Sequence, residues 1–157
     1  KMQNNNQQNL KQKLSLMIQN LNEGKLGEVK KMGKELLKNH NNAVIYNILG
    51  ITAYNEKNIK EAIQNFKSAL QISENNFDAH NNLGKIYKEE GNLKESIDSY
   101  KKAIAIKPDF SQGHINLGLA LLERGDLREG LQSIYGIEGL IKFNSKNYKV
   151  IDKLCKE

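Results

Sequence analysis

The segment NNLGKIYKEEGNLKESIDSY, running from Asn81 to Tyr100, returns as INLGLALLERGDLREGLQSI from Ile115 to Ile134. It also occurs earlier, as NILGITAYNEKNIKEAIQNF from Asn47 to Phe66, so the three copies start 34 residues apart. A fixed period of this size constrains the fold more than any other feature of the chain. Each unit carries an apolar face that it can bury only against its neighbours, so the core is a line and not a ball. The one proline, Pro108, and glycines placed mostly between apolar runs are the punctuation of short helix connections, not of hairpins. An all-helical fold follows.

The apolar spacing predicts helices over 43–56, 59–72, 77–90, 93–106, 111–124 and 127–141. Asn58, Gly91-Asn92 and Gly125-Asp126 separate the members of each pair; they tolerate the left-handed conformation and can cap the next helix. The short links SENN, KPDF and NSKN make successive helices antiparallel neighbours. Ahead of the regular array, Leu10, Leu14, Met17, Ile18 and Leu21 form one helical stripe, and Leu26, Val29, Leu36 and Leu37 a second. The division read from these patterns is a disordered polar leader at 1–9, a degenerate helix pair at 10–42, units at 43–76, 77–110 and 111–144, and a capping helix at 145–157. That last helix is expected because one further period carries His114, Leu117 and Leu121 onto Tyr148, Ile151 and Cys155.

The repeated residues resemble the tetratricopeptide signature W-x2-L-G-x2-Y, A-x3-F and P. The middle unit has Leu83, Gly84, Tyr87, Tyr100 and Pro108, with His80 in the Trp slot and Ser96 in the Ala slot. The first has Tyr46, Leu49, Gly50, Ala53, Ala62 and Phe66; the third has His114, Leu117, Gly118, Leu121, Gly130 and Ile134. The resemblance implies an α-solenoid of antiparallel helix pairs in a right-handed superhelix. Gly50, Gly84 and Gly118 lie inside helices, where glycine costs about 1 kcal/mol against alanine, so a close approach must require them.

Chemistry is sparse. His80 and His114 occupy equivalent positions, and helices pack about 10 Å apart, too far for two imidazoles to share a zinc ion. Both are read as packing residues, and His40 stands alone in a loop. Glu89-Glu90 and Glu123 read as solvated charge, and no nucleophile elbow, Walker loop or dinucleotide fingerprint occurs. No catalytic residue, metal site or cofactor is therefore expected. The formal charge of +6 comes from dispersed lysines mixed with glutamates, without aromatic residues interleaved for base stacking, which points away from nucleic acid. No run approaches a membrane span. With Cys155 alone, a disulfide framework is excluded and a reducing, cytoplasmic setting is expected.

The family resemblance places function on a concave groove lined by the first helix of each unit. The residues that fall there are Asn47, Ile51 and Tyr54, then Asn81, Asn82, Lys85 and Lys88, then Gln112, Asn116 and Leu119. Asn82 and Asn116 are equivalent, and an amide offers a donor and an acceptor to an extended peptide backbone, as in the asparagine ladders of some superhelical arms of the family. The lysine-rich clamp that other members use for acidic tails is incomplete, because Asn47 and Ile51 stand at its first positions; Lys85 and Lys88 still favour an acidic segment. The expected function is a protein-interaction scaffold that binds a partner segment without catalysis. The alternative is the N-terminal arm of a larger glycosyltransferase, sulfotransferase or hydroxylase, presenting substrates to a domain beyond Glu157.

Overall fold

The computed structural model describes residues 2–135, 141–144 and 149–152. Helices α1 (Met2–Asn22), α2 (Leu26–Leu37), α3 (Ala43–Asn55), α4 (Ile59–Ile72), α5 (Phe77–Glu89), α6 (Leu93–Ile106), α7 (Ser111–Arg124) and α8 (Leu127–Tyr135) follow one another. Strands β1 (Ile141–Asn144) and β2 (Lys149–Asp152) come last. The six helices expected from the repeat appear, but α8 ends well short of residue 141.

Local chemistry sets the helix starts. Asn42 Oδ1 accepts from the Val44 N–H at 2.8 Å to cap α3. Asn58 Oδ1 accepts from the Glu61 N–H at 3.3 Å while its Nδ2 donates to Glu61 Oε2 at 2.7 Å, so α4 opens with two reciprocal bonds. Asn76 Oδ1 takes the Ala79 N–H at 3.0 Å in the first turn of α5. The turns between paired helices need a left-handed residue. Gly91 (φ 77°) and Gly125 (φ 98°) supply it, and Lys57 (φ 64°), one period earlier, does the same with a side chain.

Two compact units result, Lys1–Asn82 and Leu83–Glu157, with the division inside α5. In the first, Met17, Val29, Leu36, Ile45, Ile48 and Leu49 form the core, so the N-terminal pair α1–α2 shares an interior with α3. In the second, Ile97 and Tyr100 of α6 pack with Leu117, Ala120 and Leu121 of α7. The helix glycines face large side chains of the partner helix. A Cβ on Gly50 would lie 2.6 Å from the Phe66 ring, and one on Gly84 2.7 Å from the Tyr100 ring. At Gly118 a Cβ would meet the Gly130 carbonyl at 2.6 Å. Phe66 and Tyr100 thus fill the space the glycines leave inside their own helix pairs, and Tyr100 packs on α7 as well.

Three expectations are corrected. Residues 2–9 are not a disordered leader: they are the first turns of α1, because nothing from Met2 to Asn22 breaks a helix and each added residue extends an existing hydrogen-bonded spiral. Ile18, assigned to the core stripe, is 45% exposed. The capping helix at 145–157 is contradicted at Lys149–Asp152, which pairs antiparallel with Ile141–Asn144, Ile141 opposite Asp152 and Asn144 opposite Lys149. The β-branched and aromatic residues Ile141, Phe143, Val150 and Ile151, following Gly136 and Gly139, suit a pleated pair better than a helix. Positions 145–148 and 153–157 of that expected helix lie outside the described residues.

Candidate functional site

The inner-face candidates sit on α3, α5 and α7, and each unit carries its own set. In Lys1–Asn82, Val44, Asn47, Ile51 and Tyr54 recur every three or four residues and so share one face of α3. Val44 is 44% exposed, and Ile51 and Tyr54 are half-buried. The Lys57 ammonium lies 5.9 Å from the centre of the Tyr54 ring at the end of this stripe. Asn47 is buried, and its Nδ2 donates to Asn76 Oδ1 at 3.1 Å. Because Asn76 Oδ1 also accepts from the Ala79 amide, the group that Asn47 turns to it must be NH2. The amide orientation is thereby fixed, and Asn47 Oδ1 is left buried without a hydrogen-bond partner. Asn47 is therefore a brace for the α4–α5 loop, a role that sequence reasoning missed because its partner lies 29 residues on. Asn81 and Asn82, on α5, are half-buried.

In Leu83–Glu157, Lys85 is exposed, and Lys88 Nζ lies 3.3 Å from Glu123 Oε2 on α7. That ion pair halves the cationic character expected of this face. Gln112 Nε2 donates to Asn116 Oδ1 at 2.9 Å along α7, so the two expected binding residues also bind each other. Beside them, Ile115 and Leu119 are 39% and 44% exposed. An apolar stripe with amides along it can hold a segment by side-chain burial and backbone hydrogen bonds together.

The histidines are structural. His80 Nε2 lies 3.2 Å from the Glu74 carbonyl and His114 Nε2 2.9 Å from the Pro108 carbonyl, each six residues back in the preceding loop. A carbonyl only accepts, so each Nε2 carries the proton and the ring ties the loop to its helix. Among the described residues no group of three His, Cys, Asp or Glu is arranged to hold a metal ion, and no helix is long and apolar enough to cross a membrane.

The tetratricopeptide-repeat family model matches residues 50–91 and 84–125. No curated protein matches the chain. Among solved structures, the crystal structure of MamA is similar at 25% identity and a TM-score of 0.71, over 81% of this chain and 75% of that one. PilF of Pseudomonas aeruginosa is similar at 20% identity and a TM-score of 0.73, over 80% of this chain and 58% of its own. YrrB, described as a TPR protein with an unusual peptide-binding site, is similar at 19% identity and a TM-score of 0.61, over 73% and 59%. Period, glycine packing, helix pairing and family match agree over the same residues, and residues 50–125 of the chain are tetratricopeptide repeats.

Proposed function

We propose that this chain is a protein-interaction module that holds extended segments of partner proteins on the inner helices of its units and performs no chemistry of its own. One observation carries the reading: Val44, Ile115 and Leu119, large apolar residues left open to water, fall at inner-face positions of α3 and α7 with amide side chains beside them. Clustered water-exposed apolar residues are what a partner covers. The peptide-binding site described for YrrB lends the same fold a ligand of this class. Lys85 and Lys88 were expected to favour an acidic segment, but Glu123 already faces Lys88, so charge contributes less than apolar contact.

The test is titration of a partner segment, once recovered and synthesised, against the Asn82→Ala/Asn116→Ala variant and the Leu119→Ser variant. Losses of about 1 to 3 kcal/mol in binding with little change in melting temperature are expected. Unaltered affinity in both, and in Val44→Ser as well, would move the binding surface to the outer helices or the loops.

A further inference from the structure

The inner face of the first unit differs in chemistry from that of the second. Helix α1 repeats α3 at an offset of 33 residues: Gly24 and Lys57 both have positive φ, and Val29 and Ala62 are both fully buried. The same offset sets Ile18 on Ile51 and Leu21 on Tyr54, and α1 and α3 pack against one another. Ile18 is 45% exposed and Val44 44%, with Ile51 and Tyr54 half-buried between them. This surface carries cations only at its two ends, Lys11 aligned with Val44 and Lys57 beside the Tyr54 ring. The other lysines of the unit lie mainly on α2, at Lys30, Lys31 and Lys34, just past it at Lys38, and on α4, at Lys60 and Lys67.

We infer that this face takes an uncharged, apolar, extended segment of a partner protein, and not an acidic tail. The inference rests on the interaction reading above and narrows it to a ligand class. Charge matching decides it. A carboxylate or ammonium pressed on the middle of the stripe loses its water and meets no counter-ion, whereas Leu or Val side chains there cover Ile18 and Val44 at no electrostatic cost. Asn47, in the middle of the stripe, is neutral and buried, so it offers no counter-charge either.

The experiment is selection of random displayed peptides on the full chain, followed by synthesis and titration of those recovered. Titrations use the wild type, Ile18→Glu and Val44→Glu in the first unit, and Leu119→Glu in the second. Both first-unit positions are about half open to water, so these variants keep the fold, which circular dichroism checks. The expected result is a class of peptides poor in Asp, Glu, Lys and Arg. Their affinity falls about tenfold or more in Ile18→Glu and Val44→Glu, stays the same in Leu119→Glu, and changes less than about twofold from low to high salt. Peptides rich in Asp and Glu whose binding collapses with salt would overturn the inference. So would peptides lost in Leu119→Glu but indifferent to Ile18→Glu and Val44→Glu, although the interaction reading would then stand. Recovery of no binding peptide at all would overturn both.

Discussion

Gly84 shows how one absent atom sets a helix pair. Tyr100 is almost wholly buried with its ring edge 2.7 Å from where a Cβ would stand, and a fully packed ring has no room to swing away. Alanine at this site gains helix propensity of about 1 kcal/mol but forces the ring or the backbone to move, at a cost of about 1 to 3 kcal/mol. Gly84→Ala should therefore be net destabilising by about 1 kcal/mol in chemical denaturation, and the penalty should shrink in a Tyr100→Leu background. Gly27 supplies the contrast, since nothing lies within 4 Å of its Cβ position near the start of α2. Gly27→Ala should stabilise by about 0.5 kcal/mol. The need for Gly84 was legible in the sequence, because the same costly residue recurs at Gly50 and Gly118. Its cause was less so: a side chain of the partner helix opposes all three, and at Gly118 a backbone carbonyl is met as well. Asn47 was legible only in part. Its spacing put it on the inner face, but its bond to Asn76 depends on how the α4–α5 loop folds back, which no local pattern encodes.

At the scale of the element, the left-handed turn position carries Gly91, Gly125 and, in the first regular pair, Lys57. An L-residue there costs about 1 kcal/mol or more, partly offset in the reverse exchange by the greater freedom glycine has when unfolded. Lys57→Gly should raise the melting temperature by about 1 to 2 °C, and Gly91→Lys should lower it. The N-terminal pair follows the same plan with sizes exchanged. Met17 stands 33 residues before Gly50, and Gly33 stands 33 before Phe66, so the large residue is on the first helix and the small one on the second. A sequence reading tuned to the Leu-Gly signature sees this pair as out of step, although its core is continuous with α3. The tail was misread for the opposite reason: the 34-residue period continues into Tyr148 and Ile151, but the β-branched pair Val150-Ile151 lies in a strand at Lys149–Asp152.

Lys30 of α2 ties the first unit together by pairing with Glu56 at the end of α3 and with Glu61 on α4. The hydrogen bond that its ammonium donates to Glu56 chiefly holds Lys30 above the ordinary lysine range. A raised value means that the pair stabilises the fold throughout neutral pH and fades as pH climbs through the folded-state value. Lys30→Met should lower stability by about 0.5 kcal/mol at pH 7 and low salt. The difference from wild type should close at high salt and at strongly alkaline pH.

Across the whole molecule, the tetratricopeptide assignment, the helix order and most helix boundaries could be read from one period, because stacked units repeat the same packing problem and solve it with the same residues. The candidate site was less legible. A period reports which positions are equivalent, but not which are already engaged: Lys88 by Glu123, Asn116 by Gln112 and Asn47 by Asn76 are pairs between positions the repeat does not relate. What the structure adds is that Val44 on α3, and Ile115 and Leu119 on α7, stay open to water, and the interaction reading depends on them. Amide hydrogen exchange of the full chain with and without a bound partner segment tests that reading most directly, since it reports which helices a ligand stabilises without altering any residue. The expected result is added protection concentrated on α1, α3, α5 and α7. Protection confined to α2, α4, α6 and α8 would contradict it and assign binding to the outer helices.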